Sequence, residues 1–223
     1  MLIVFCFFLY FSMVIGLIMT RITNKDKLGL ALKILLGMQF VIISLSIVAY
    51  KKSIDYVSAM IIIGLICNAI GDVFLGMCRI KKKSCEQYFV MALIIIGISQ
   101  IAYLLALLFD GYFIRASIFI AVVPVLILLF IGHINDKLNK KYTLVLIYAY
   151  IITTVLTNAC FMFMQSNCLS AILLGIGYGL FFVSDLILFY MKFFGSNWLL
   201  EVANKGLYYT SELLIACSIF YRM

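Results

Sequence analysis

Charge, histidine and proline are scarce in this sequence, and each shortage closes off a class of protein. Only 12% of the 223 residues are charged, against 66% hydrophobic. A water-soluble domain of this length has no way to bury so much apolar surface; globular chains run at about half apolar and about a quarter charged. The one histidine, His133, stands at the end of an apolar run beside a basic loop. No second His or Cys lies at ligand spacing, so no metal and no cofactor is expected. Seven cysteines are scattered (Cys6, Cys67, Cys78, Cys85, Cys160, Cys168 and Cys217) with no C-x-x-C pair. Most stand in apolar runs, where cysteine is a small hydrophobe, and no disulfide framework is expected. The single proline, Pro124, leaves most runs free of an obvious helix breaker. No low-complexity linker divides the chain, so one transmembrane helical domain is expected over 1–223.

What is present is a succession of long apolar runs, at about 2–20, 28–50, 56–78, 88–109, 112–133, 142–164, 167–191 and 200–221. About 20 apolar residues in a helix cross a hydrocarbon core of roughly 30 Å. Lipid admits only helices or closed barrels, and these runs are continuous rather than alternating. The expectation is all-α: a multi-pass membrane protein of eight transmembrane helices. The first run lacks a basic leader and a small-residue cleavage signature, so it reads as a retained helix.

The net charge of +8 invites a nucleic-acid partner, but the placement of the cations argues against one. The odd loops carry Arg21, Lys25, Lys27; Arg79, Lys81, Lys82, Lys83; Lys137, Lys140, Lys141; and Lys192, Lys205. The even loops and the C-terminal end carry Lys51, Lys52, Arg115 and Arg222. This alternation is the positive-inside pattern. It places the odd loops in the cytoplasm and both termini on the other side, with the cations against anionic lipid headgroups.

Four ionisable residues stand inside the runs: Lys33, Asp72, Asp185 and Glu212. Such groups are costly at bilayer depth and mark functional sites by default. Counted from the nearest odd loop at about 1.5 Å per residue, all four lie roughly 10 Å inside the cytoplasmic boundary. Polar neighbours share their helix faces: Asn68 one turn before Asp72, Tyr178 before Asp185, Tyr208 before Glu212, and Gln100 with Tyr103 in the fourth helix. Glycines crowd the third and seventh helices, where small residues let membrane helices approach.

There is also a short internal repeat. "GDVFL" at 71–75 matches "SDLIL" at 184–188, small-Asp-x-x-Leu in each, and the two aspartates are separated by about half the chain. Helices one to four and five to eight read as two related halves. Such repeats commonly build a central site between them, and the match predicts that Asp72 and Asp185 face each other.

The two elements "GDVFLG" and "GYGLFFVSDLILF", with "GISQIAYLLAL" in the fourth helix and "LYYTSELLIACS" in the eighth, resemble the lysoplasmalogenase family of eight-helix membrane proteins, the YhhN type. The resemblance implies hydrolysis of the vinyl ether bond of lysoplasmalogens, giving a fatty aldehyde and glycerophospho-choline or -ethanolamine. It nominates Asp72 and Asp185 as the catalytic residues. Two positions depart from the family pattern, which has His where this chain has Gln100 and Gln where it has Glu212. The first change removes a group that titrates near neutral pH, and the second adds a carboxyl.

Vinyl ethers resist base and hydrolyse with acid. Protonation of the outer alkene carbon gives an oxocarbenium ion, water adds, and the hemiacetal collapses. A proton donor and a carboxylate are needed, the division of labour of glycoside hydrolysis. Two carboxyls in one dry site meet that need, one as acid and one as carboxylate. Asn68, Gln100, Tyr103, Tyr178, Ser184, Tyr208 and Glu212 are candidates to orient water or hold glycerol oxygens. Lys33 either neutralises a carboxylate, meets the lipid phosphate, or snorkels to the interface. The expected partners are a lysophospholipid and membrane lipid. Two other readings stand beside this one: a proton- or cation-coupled carrier, and a non-catalytic lipid-binding protein.

Overall fold

In a computed structural model, which describes residues 2–23, 25–135 and 140–222, the apolar runs become eight long helices. The side chains of Cys6, Arg21, Lys140 and Lys141, and all of Lys137, lie outside the described residues. The helices are α1 (Leu2–Ile22), α2 (Asp26–Lys51), α3 (Tyr56–Ile80), α4 (Cys85–Phe109), α5 (Ala116–Ile134), α6 (Lys140–Gln165), α7 (Leu169–Phe193) and α8 (Trp198–Ser218). No strand forms among the described residues. Some helix ends have a clear local cause. The Asp55 carboxylate accepts from the Ser58 amide at the head of α3, and Asn197 does the same for the Leu200 amide at the head of α8. After α4 and α7 the chain turns through Gly111 (φ +81°) and Gly195 (φ +119°), angles that a side chain rarely allows.

Six helices, α2 to α7, are long and apolar enough to cross a membrane. The expected eighth span falls short of that measure because α8 carries Glu201, Lys205 and Glu212. Among its described side chains, α1 contributes the apolar stretch Tyr10–Thr20. The outer faces are apolar: Ile42, Ile63, Ile101, Phe130, Ile147 and Ile176 all point outward. The interior holds the polar side chains Asn68, Asp72, Gln100, Asn158 and Glu212. That inversion suits a lipid surround, where the outside is the greasy side.

Contacts between helices close a circuit: α2 on α3, α3 on α4, α4 on α6, α6 on α7, α7 on α8, and α8 back on α2. The outlying α1 packs on α2 and α8, and α5 packs on α6. Glycines set the closest approaches. A Cβ on Gly64 of α3 would overlap the Tyr103 ring of α4. A Cβ on Gly177 of α7 would lie 2.9 Å from Ile215 of α8. These two contacts are separated along the chain by nearly the same step as Asp72 and Asp185.

At one end of the circuit the C-terminal segment is pinned. Arg222 makes a bidentate pair with Asp110 at 2.8 Å and reaches Asp55 at 3.2 Å. Lys51 donates to the carbonyls of Ile219 and Arg222. At the other end a short turn joins α3 to α4, and Cys78 and Cys85 are joined there as a disulfide. The cysteines are thus not all isolated: one cross-link spans seven residues, a spacing outside the C-x-x-C pattern. The sequence reading missed it because the turn, and not the spacing, brings the sulfurs together.

Candidate active site

The circuit encloses a cavity of about 260 Å³ at the end where α3 and α7 finish and α8 begins. Asp72 from α3 and Asp185 from α7 both line it. Lys33, Ser184 and Tyr208 line it as well. The two aspartates have unlike partners. Lys33 on α2 donates to Asp72 at 3.3 Å, with the Asp72 side chain only 5% exposed. Of the three readings of Lys33 from sequence, this geometry selects the neutralised carboxylate. Asp185 instead accepts from the phenol of Tyr148 on α6.

Lys33 precedes Asp72 by 39 residues and Tyr148 precedes Asp185 by 37. Each comes from the helix just before its aspartate's own. One aspartate is therefore met by an ammonium and the other by a neutral hydroxyl. Tyr148 was missed from sequence because a tyrosine in an apolar helix carries no depth anomaly.

Ser184 is held by α8: its hydroxyl donates to the Asn204 carbonyl at 3.2 Å, and the Asn204 amide returns a bond to its hydroxyl at 3.0 Å. The Tyr208 ring lies 5.4 Å from that of Phe181 in a tilted contact and 5.0 Å from that of Tyr209 edge to face. The Tyr209 hydroxyl lies beside Asp72, short of a well-formed hydrogen bond.

The remaining nominated residues form a second layer beneath the cavity. Asn68 donates to Glu212 at 2.6 Å and to the Tyr103 hydroxyl at 3.1 Å, and accepts from Ser99. Gln100 donates to Ser99 at 3.4 Å, while its carbonyl oxygen has no partner among the described residues. The Tyr178 ring lies 5.4 Å from Tyr103, and its hydroxyl likewise has no partner there. Glu212 thus bonds Asn68, the residue one helical turn before Asp72 on α3. The pair closest to the solvent end, Asp72 and Asp185, is the part that opens into a cavity.

A second, apolar cavity of about 50 Å³ adjoins the first. Leu75, Phe89, Ile96, Asp185 and Leu188 border both. Asp185 therefore stands where a polar chamber meets a greasy slot between α4, α6 and α7. Among the described residues no cluster of three or more His, Cys, Asp or Glu side chains has the arrangement of a metal site.

The model of the YhhN family matches residues 4–219, nearly the whole chain. The chain belongs to the YhhN family. Both aspartates of this YhhN protein, and every other nominated side chain, fall inside the matched region. Searches among curated proteins and among solved structures return no match to the chain.

Proposed function

We propose that this YhhN protein is a lysoplasmalogenase, an intramembrane hydrolase that cleaves the vinyl ether of a lysophospholipid with Asp72 and Asp185. The observation that carries the reading is the pair of aspartates lining one cavity with unequal partners. Family membership supports the same activity. Asp72, ion-paired with Lys33, is the standing carboxylate. Asp185, bonded to a neutral phenol at the edge of the apolar slot, is the proton donor.

The reaction then runs as follows. Asp185 gives its proton to the outer alkene carbon, and the alkene pair becomes the new C–H bond. The ether oxygen shares a lone pair with the adjacent carbon, giving an oxocarbenium ion that faces the Asp72 carboxylate. Water adds to that carbon and its proton returns to Asp185. The hemiacetal moves its hydroxyl proton to the ether oxygen as the C–O bond breaks. An aldehyde and a free glycerol hydroxyl result, and both carboxyls are restored. Two carboxyls of unlike environment divide acid and carboxylate roles in the same way in glycoside hydrolysis.

The eight helices cross the membrane as two related halves, with both termini on the non-cytoplasmic side. The cavity then opens at the cytoplasmic end, where the basic odd loops stand. Carrier sites are often built on broken helices, whereas α3 and α7 run unbroken through Asp72 and Asp185.

Purified protein with a lysoplasmalogen, scored for aldehyde, tests the reading. Asp72→Asn and Asp185→Asn each reduce release by at least about a hundredfold, and Asp185→Asn does so while the protein keeps its melting temperature. Wild-type activity in both variants sinks the mechanism. No aldehyde from wild-type protein sinks the hydrolase.

A further inference from the structure

The mouth of the cavity carries more cation than membrane topology needs. Four cations line the chamber, Lys33, Arg79, Lys192 and Lys205, against three acids, Asp72, Asp185 and Glu201. Positive-inside residues serve orientation equally well when they point outward into headgroups. These point inward. Lys192, on the last turn of α7, lies 4.4 Å over the ring of Phe89 on α4, inside the rim of the chamber. Arg79, on the last turn of α3, pairs with Glu201 of α8 at 3.2 Å, with Glu201 only 7% exposed. Lys205 is itself buried and donates to the Leu17 carbonyl at 3.4 Å. With Asp185 carrying its proton, positive charge exceeds negative by two in the chamber.

The spacing has a direction. Lys192 follows Asp185 by two helical turns on the same helix, and helical side chains lean back toward the N-terminus. The Lys192 ammonium therefore leans toward the carboxyl from the solvent side. A single anionic group joined by a short polar bridge to an apolar chain fits this run: chain in the slot, bond at Asp185, anion at the rim.

We infer that Arg79 and Lys192, backed by Lys205, form a subsite for the phosphodiester of the substrate. The inference rests on the hydrolase reading for the identity of the substrate, and it assigns substrate recognition to the phosphate. An arginine offers a planar fork to phosphate oxygens and a lysine a point charge. Glu201 takes one guanidinium nitrogen of Arg79 at 3.2 Å, and no other hydrogen bond from the Arg79 side chain forms among the described residues.

The test separates binding from chemistry. Aldehyde release is measured from a 1-alkenyl-lysophospholipid and from the corresponding 1-alkenylglycerol, which lacks phosphate. Lys192→Gln raises KM for the first about tenfold, leaves kcat within twofold, and does not alter KM for the second; Lys192→Arg restores it. Arg79→Gln behaves likewise, and Arg79→Lys is intermediate. Equal shifts for both substrates, or none for either, overturn the subsite. A saturated 1-alkyl-lysophospholipid has no vinyl ether to cleave, so its thermal stabilisation of the protein reads binding alone. If wild-type protein releases no aldehyde yet is stabilised by this lipid and not by 1-alkylglycerol, the subsite stands and the hydrolase reading fails. Equal stabilisation by 1-alkylglycerol overturns the subsite. Stabilisation by inorganic phosphate as strong as by the lipid overturns the lipid as its ligand.

Discussion

Replacing Lys33 with Met tests whether the Asp72 ion pair is one unit. The pair is inside the protein: Lys33 is 14% exposed at the side chain and Asp72 5%, with 3.3 Å between nitrogen and oxygen. Removing one partner of a buried pair leaves the other charge uncompensated, at a cost of about 3–5 kcal/mol. The residual exposure of Lys33 lets some water reach Asp72, so the lower end, about 3 kcal/mol, applies. At about 2–4 °C per kcal/mol for a chain of this size, melting falls by roughly 6–12 °C. Asp72→Asn alone strands the ammonium and costs a similar amount. Lys33→Met/Asp72→Asn removes both charges and restores most of the lost stability. The measurement is thermal unfolding in one detergent for all four proteins, as a double-mutant cycle. Aldehyde release is followed in parallel. Once Asp72 is Asn, the Lys33 substitution has no further effect on rate, because the carboxylate it served is gone. Additive losses, with the double variant melting lower than either single one, would refute the pairing and with it Asp72 as the standing carboxylate.

Two further outcomes test the packing and the opposite end of the molecule. Gly64→Ala drives a methyl into the Tyr103 ring, and such overpacking costs about 1–3 kcal/mol. Gly177→Ala costs less, because its Cβ would lie 2.9 Å from Ile215 Cγ1, farther than a Cβ on Gly64 would lie from the Tyr103 ring; equal melting of Gly64→Ala and wild-type protein would remove the close approach. Burial works against ionisation of Asp55, but the Ser58 bonds and the charge of Arg222 outweigh it and hold its carboxyl below the usual carboxylate range. A folded pKa below the unfolded one adds stability that is present above about pH 4 and lost as pH falls through the depressed value. Arg222→Ala flattens that acid limb of the melting curve, and an unchanged limb counts against the contact.

The helices were legible because lipid makes them so. Long unbroken apolar runs have one solution, and caps and glycines mark their ends. The acids were legible for the same reason: Asp72 and Asp185 are expensive where they stand, and expense is visible without a structure. What surrounds them was harder to read. Tyr148 costs little in an apolar helix, so nothing in its own stretch of sequence flagged it. Arg79 and Lys192 were read as markers of orientation, and only the folded chain reveals that they border the chamber. The Cys78–Cys85 link needed the turn between α3 and α4 to become apparent.

Asp185 stands at the wall shared by the polar chamber and the apolar slot. A vinyl ether cut at that wall yields one fragment on each side of it. On the proposed reading, the cut end of the aldehyde lies at the greasy slot, and its long chain dissolves into the bilayer. The glycerophospho fragment is already in the wet chamber and diffuses into water. Recombination would require the two to meet again across a phase boundary. On the proposed reading, the partition itself makes each turnover effectively one-way and keeps either product from accumulating at the site.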